Sequence, residues 1–142
     1  MTSVRQARGL AARLSGRRAE VLAALWLMAK GYRILGFRLV TPLGEIDLLA
    51  QRGKVLAVVE VKQRATLEAA LDAVTHQQRA RLRRAGAHIA ASRAGLRDAF
   101  VRLDLMALAP GRRPRPARRV GRTLDDPPTG RADPDRRRRR RR

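Results

Sequence analysis

The chain contains no cysteine and only two histidines. A disulfide framework and thiolate metal ligands are therefore excluded, and a structural zinc site is not expected. Aromatic residues make up 3% of the sequence, which argues against an exposed platform that stacks RNA bases. The longest apolar run, at 21–29, is far shorter than the roughly 20 residues that cross a bilayer. With no cleavage site of the secretory type, the sequence predicts a cytoplasmic protein without a membrane partner.

Acidic residues are also scarce, at 12 against 33 basic residues, and the formal net charge is +21. Residues 110–142 contain 14 Arg and 4 Asp, a net charge of +10, so the first 109 residues carry +11. Both parts would attract a polyanion. Of the basic residues, 30 are Arg and three are Lys. A GC-rich coding bias explains this preference as well as a phosphate-binding role does, so charge alone identifies no partner.

Composition divides the chain into three parts. We expect residues 1–14 to be a basic, flexible arm, residues 15–109 to be the folded domain and residues 110–142 to be a disordered tail. Six of the seven prolines lie in this last part, which ends in seven consecutive arginines. A segment of that composition cannot bury a hydrophobic core.

The folded part shows six secondary-structure signals. Ser15 and Gly31 are suited to begin and end a helix, and bulky or β-branched residues separated by turn sequences predict strands. The helical pattern from Thr66 to Ser92 divides near Thr75. The resulting order is α-β-β-β-α-β, an α/β domain with a mixed sheet flanked by helices, with the strands at 32–40, 45–50, 55–62 and 99–108.

Charged residues interrupt the apolar strands of "GEIDLLAQRGKVLAVVEVKQR". Glu60 and Lys62 leave one face of their strand about 7 Å apart, and a turn at 51–54 makes Asp47 a cross-strand neighbour of Glu60. Two adjacent carboxylates repel each other unless a cation lies between them, and oxygen ligands suit Mg²⁺ or Mn²⁺. Lys62 could orient or deprotonate a water and stabilise a pentacovalent phosphate, as hydrolysis of a phosphodiester requires. The alternative is an ordinary Glu60–Lys62 ion pair on an exposed face, with Asp47 capping a turn.

The sequence resembles the YraN-like family of small bacterial proteins over roughly residues 17–110. The shared segments are "RRAEVLAALWLMAKGYRIL", "TPLGEIDLLA", "VVEVKQR", "AVTHQQRARLRRA" and "VRLDLMALAP". The resemblance implies the restriction-endonuclease-like PD-(D/E)XK fold, similar to Holliday-junction resolvases, with a mixed central sheet and a nuclease-type site.

Carried over residue by residue, the resemblance makes Asp47 and Glu60 metal-binding carboxylates and Lys62 the catalytic lysine. Glu20, on the first helix, matches the family's helix Glu and would complete the acidic cluster; its alternative is a surface charge. Glu45 matches the Glu of the family's G-E-I-D run. It either supports the site or faces solvent at the strand edge, and the second alternative is favoured.

The helix after the site supplies further candidates. Gln78 falls where the family has Lys or Gln, and related nucleases use this helix to orient the lysine or to contact phosphate. Arg79 and Arg83 could face a backbone phosphate, although a solvated helix face explains either one. The sequence departs from the family at Val40, which is commonly Arg.

Two functions are consistent with these observations. The first is a Mg²⁺- or Mn²⁺-dependent endonuclease acting on DNA, selective for structure rather than sequence. The second is a protein of the same fold that binds nucleic acid without cleaving it, in repair, recombination or uptake. A weaker third is a protein-interaction factor whose basic tail binds an acidic partner. Junction-cutting relatives act as dimers, so a homodimer would suit a two-fold symmetric substrate.

Overall fold

A five-stranded sheet forms the centre of the computed structural model, which describes residues 4–108 and 115–119. The strands lie in the order β1-β2-β3-β4-β5; β3 and β4 are parallel, and the other neighbours are antiparallel. The four strands of the predicted αβββαβ core are confirmed within one or two residues of their expected bounds. The elements are α1 (Val4–Ala29), β1 (Arg33–Thr41), β2 (Gly44–Arg52), β3 (Val55–Gln63), α2 (Leu67–Asp72), α3 (His76–Ser92), a 3₁₀ turn (Ala94–Leu96), β4 (Phe100–Leu108) and β5 (Arg115–Arg119).

Helix α1 starts eleven residues before the predicted cap at Ser15. Residues 4–14 are therefore part of the helix rather than a separate arm, since they are rich in the strong helix formers Ala, Arg and Leu. Ser15 lies in the helix interior, where its hydroxyl donates a hydrogen bond to Gln63 Oε1 at 2.7 Å. The end of the helix is as predicted. Gly31 has φ of 84° and donates its N–H to the Met28 carbonyl, a conformation that favours glycine.

Strand β5 corrects the prediction that everything after residue 110 is disordered. Arg115–Arg119 pairs antiparallel with β4, placing Arg115 opposite Ala107 and Arg119 opposite Asp104. The strand gives β4 a hydrogen-bonding partner on the side away from β3, where an exposed edge would otherwise lie. The remainder of the predicted tail, residues 109–114 and 120–142, lies outside the described residues.

Strand β3 is apolar on both faces because helices cover both sides of the sheet. Ala57 and Val59 belong to a core cluster with the alanines of α1, whereas Leu56 and Val58 belong to one with α3. An almost continuous run of apolar residues is typical of a strand covered on both faces. Because side chains alternate along a strand, Glu60 and Lys62 lie on the same face of β3 as Leu56 and Val58, the face covered by α3.

The helix pair after β3 divides at Thr75, as predicted. Thr66 Oγ1 accepts a hydrogen bond from the Ala69 N–H, and Thr75 Oγ1 accepts one from the Gln78 N–H. These N-caps fix where α2 and α3 begin. The second cap brings the first turn of α3 beside the end of β3.

A polar network joins β4 to Tyr32, the residue immediately before β1. Arg102 donates two hydrogen bonds to the Asp104 carboxylate, at 2.7 and 2.6 Å, and one to the Tyr32 hydroxyl at 2.7 Å. Because Arg102 is partly buried, loss of its carboxylate partner leaves a charge without compensation. We expect Asp104→Ala to lower the unfolding free energy by about 2 kcal/mol and Tyr32→Phe by about 1 kcal/mol. Urea denaturation tests this, and equal stability of wild type and Asp104→Ala would contradict it.

Candidate functional site

Strand β2 separates from β3 at Asp47. The ladder between them pairs Leu48 with Val59 as its last step, and the same register carried one residue further places Asp47 opposite Glu60. Instead of a backbone carbonyl, Asp47 Oδ2 accepts the hydrogen bond of the Val61 N–H, at 2.9 Å. This hydrogen bond fixes the Asp47 carboxylate at the point where the two strands part.

Glu60 is the buried charged side chain of this site, with 5% of the residue exposed. Its Oε1 accepts hydrogen bonds from Lys62 Nζ at 2.9 Å and from Gln78 Nε2 at 3.2 Å. Burial raises the pKa of the Glu60 carboxyl, the neighbouring Asp47 carboxylate raises it further, and Lys62 acts in the opposite direction. The exposed-face ion pair considered as an alternative is therefore not what the structure shows, because this carboxylate is enclosed.

Lys62 lies at the boundary between the buried carboxylate and solvent. Its side chain is 21% exposed, three times the fraction of Glu60. A lysine so placed can keep its bond to Glu60 and still contact a molecule that approaches from outside. Asp47, Glu60, Lys62 and Gln78 thus form one cluster, which we call the carboxylate–lysine site.

Glu20 lies near this site but is paired with Arg38. Its carboxylate is 3.4 Å from Arg38 Nε. Burial raises the pKa of Glu20, and Arg38 lowers it. The Asp47 and Glu45 carboxylates also raise it, so the three acids repel one another. Even so, the described part of the chain contains no group of three or more Asp, Glu or His residues placed to hold a metal ion together.

Arg38 was not singled out from the sequence. It lies on β1 at the level of Asp47, where the β1–β2 ladder passes from Phe37–Leu48 to Leu39–Ile46. Its φ of 45° is unusual for a residue with a side chain. The only signal in the sequence is a charge within the apolar run "GFRLV", which does not reveal a partner on α1.

The remaining candidates lie around the site rather than in it. Glu45 is exposed opposite Val40 on β1, the solvent-facing position that was favoured. Arg79 is turned inward toward α2: it donates to the Leu71 carbonyl at 3.5 Å, and its Nε is buried without a hydrogen-bond partner. Arg83 lines an open groove of about 640 Å³ on the outer face of α3, which we call the α3 groove; its lining is His76, Gln77, Ala80, Arg81, Arg83 and Arg84.

The α3 groove extends the basic surface away from the carboxylate–lysine site. Gln78 on the same helix contacts Glu60, and Arg81 reaches the turn between β1 and β2, where Gly44 has φ of 128° and leaves room for the guanidinium. A ligand that follows α3 outward from Glu60 would therefore meet arginines. No helix of the described residues is long and apolar enough to span a membrane.

The fold and site define a mixed α/β protein with a buried carboxylate bound to a lysine and facing a second carboxylate. Residues 19–108 match the model of "Uncharacterised protein family UPF0102", to which the chain belongs. This is the YraN family, so the resemblance found in the sequence is confirmed.

Three relatives illustrate the match, and each is called a UPF0102 protein. That of Caulobacter sp. (strain K31) is 86% identical over 111 residues, covering 78% of this chain and 80% of the relative. That of Caulobacter vibrioides (strain NA1000 / CB15N) is 80% identical over 112 residues, covering 79% and 90%. That of Parvibaculum lavamentivorans is 49% identical over 109 residues, covering 77% and 82%.

Proposed function

We propose that this protein is a metal-dependent nuclease that hydrolyses phosphodiester bonds of DNA in the cytoplasm. The enclosure of Glu60 beside Asp47 supports this most directly. Burying a carboxylate against a second carboxylate is unfavourable for folding, and a raised pKa reports that cost. Perturbed groups of this kind cluster at functional sites.

The donor set fits Mg²⁺ or Mn²⁺. Asp47 and Glu60 would hold the ion, because both are carboxylates on adjacent strands and oxygen ligands suit these hard cations. Burial raises the pKa of Glu60 most, and a cation between the two carboxylates would offset the further increase caused by Asp47. Glu20 would join them only by exchanging Arg38 for the ion, since its carboxylate is bound to Arg38.

Each residue of the carboxylate–lysine site then has a distinct task. The ion would neutralise charge on the phosphate and make a water more acidic. Lys62, partly exposed and bonded to Glu60, would stabilise the negative charge that develops on the phosphate during attack. Gln78 would keep the Glu60 carboxylate in its orientation through the 3.2 Å hydrogen bond. The α3 groove would contact the substrate's backbone away from the reacting phosphate.

Mn²⁺ is expected to stabilise the folded protein. An ion that binds the folded but not the unfolded chain raises stability by mass action, so saturating Mn²⁺ should raise the Tm of wild type by at least about 3 °C. Asp47→Asn should lose this increase, whereas Asp98→Asn, which removes an exposed charge elsewhere, should retain it. Differential scanning fluorimetry with and without EDTA makes the comparison. An equal increase in all three proteins would contradict binding by Asp47.

A second candidate is a nucleic-acid-binding protein that does no chemistry. The arginines of the α3 groove favour it, as does the pairing of Glu20 with Arg38 instead of with the other acids. Such a protein would bind DNA with strong salt dependence. Binding would survive Asp47→Ala, because removing a carboxylate reduces repulsion of phosphate.

The test is cleavage of labelled linear duplex, single-stranded and four-way-junction DNA in Mn²⁺, with EDTA as the blank. The nuclease should cleave at least one substrate, and Asp47→Ala should abolish the cleavage without weakening binding. Absence of cleavage of every substrate, with equal binding by wild type and Asp47→Ala, would support the second candidate.

A further inference from the structure

Helix α1 carries a second apolar face, directed away from the sheet. The face against the sheet is built mainly from small residues, including Ala19, Ala23 and Ala24. Leu27 is buried with them and Trp26 packs against the same cluster, whereas five other large residues point outward, each 49–56% exposed. We call these the α1 stripe: Leu14, Val21, Leu22, Leu25 and Met28.

The α1 stripe is a continuous apolar surface on a helix that already packs on the sheet. By ordinary side-chain areas the α1 stripe exposes roughly 450 Å², which is within the range of the largest patch on a typical soluble monomer and is often functional. The alanines, Leu27 and Trp26 pack α1 on the sheet, so the α1 stripe is left available to bind a partner.

The spacing of the α1 stripe is self-complementary. Leu14, Val21 and Met28 are seven residues apart, so they lie along one line of the helix. If two α1 helices pack antiparallel with a two-fold axis at Val21, each Leu14 meets the Met28 of the other copy, and the two Val21 residues meet at the axis. We infer that the α1 stripe binds a second copy of this chain through such a two-fold antiparallel helix pair.

The charges near the α1 stripe allow this pairing despite the basic net charge. Residues 19–29 contain one charged side chain, Glu20, and it is paired with Arg38. In this pairing Arg17 would lie opposite Leu25 of the second copy, and Arg18 opposite Ala24, which is buried against its own sheet. A long arginine side chain can cover Leu25 while its charge stays in water, and neither arginine lies opposite a basic residue.

The chain's own C-terminal segment is a poor alternative occupant. Residues 109–142 contain only two large apolar residues, Val120 and Leu124. They cannot match the five residues of the α1 stripe. The pairing of two copies would bury about 900 Å² from the stripes, at the small end of specific complexes, so we expect a weak, concentration-dependent dimer.

The absence of cysteine makes disulfide trapping a clean test in the full-length protein. Val21→Cys should form a covalent dimer, of twice the 15.8 kDa chain mass, under mild oxidation. Leu14→Cys and Met28→Cys should each form little dimer alone, because equivalent residues lie about 21 Å apart in an antiparallel pair, beyond the reach of a disulfide. A mixture of these two variants should cross-link. Lys54→Cys, in an exposed turn, is the control.

Light scattering without cross-linking gives an independent measurement. The mass of wild type should rise toward that of a dimer with concentration, and Val21→Arg should raise the dimer Kd at least tenfold while circular dichroism stays the same. The inference is overturned if Val21→Cys cross-links no more than Lys54→Cys. It is also overturned if Leu14→Cys cross-links with itself as well as Val21→Cys does, or if wild type stays monomeric while the stripe binds lipid vesicles. None of these outcomes depends on nuclease activity.

Discussion

Glu60→Gln should lower Mn²⁺-dependent cleavage about 1,000-fold while it makes the folded protein more stable. The rate decrease, roughly 4 kcal/mol of activation free energy, follows from the loss of one of two carboxylates that would hold the ion. The fold should survive, because glutamine keeps the size of glutamate. Its carbonyl can accept from Lys62 and Gln78, and its amide can donate to Asp47.

The gain in stability follows from the pKa of Glu60. Burial and Asp47 raise that pKa, which means that the folded state favours the neutral form of the side chain more than water does. A group of this kind contributes stability below its ordinary pKa of 4.5, and the contribution is lost as pH rises through the folded-state pKa. Glutamine cannot ionise, so the advantage of the variant should grow as pH rises through the folded-state pKa of Glu60 and should disappear below about pH 4.

Urea denaturation of wild type and Glu60→Gln between pH 4 and 8 measures this difference, in EDTA so that no metal contributes. Glu68→Gln is a matched control, since Glu68 is exposed on α2. A variant that is less stable than wild type at pH 7 would show that the carboxylate has a structural role. If Glu60→Gln changes the unfolding free energy but leaves the cleavage rate unchanged, Glu60 does not take part in cleavage.

Gly86→Ala should destabilise the protein by about 1–3 kcal/mol, because α3 packs on the sheet through this glycine. A Cβ at Gly86 would lie 2.4 Å from Val58 Cγ2 and 2.8 Å from Val101 Cγ1. Both valines belong to strands in the middle of the sheet, so α3 itself must move outward. The same movement would pull Gln78 away from Glu60, and cleavage should fall together with stability.

Gly16→Ala is the control on the other helix. No atom lies within 4 Å of the Cβ position at Gly16, and alanine is the better helix former by about 1 kcal/mol. This variant should therefore be more stable than wild type, although it contains the same chemical change. Thermal and urea unfolding of both variants test the contrast. Equal changes in unfolding free energy for the two variants would contradict the explanation that a Cβ at Gly86 clashes with the sheet.

The central strands could be predicted because their signals are local. Alternating and continuous apolar runs predict β2 and β3, and the turn at Gly53 predicts the register that pairs Leu48 with Val59. Carried one residue further, that register places Asp47 beside Glu60. Gln78 was placed through the family resemblance, and the cap at Thr75 explains its position. These features depend on neighbours in sequence or on a short hairpin.

The features that were missed depend on distant contacts. Ser15 has the chemistry of an N-cap, but it donates to Gln63, 48 residues away. Arg38 takes a positive φ and binds Glu20 on another element, which no spacing rule indicates. Strand β5 has a composition typical of disorder, and it is ordered by pairing with β4. The composition of a segment indicates whether it can contribute to a hydrophobic core. It does not indicate whether the backbone of that segment can pair with the edge strand of a sheet.

The most direct test of the carboxylate–lysine site is the rate at which Lys62→Met cleaves the preferred DNA substrate in Mn²⁺, compared with wild type and with Arg64→Met. Lys62 and Arg64 both lie near the end of β3, but only Lys62 is bonded to Glu60. We predict that Lys62→Met loses at least about 100-fold in rate, with unchanged DNA binding, and that Arg64→Met stays within a few-fold of wild type. Equal rates for wild type and Lys62→Met would contradict a catalytic role for this site.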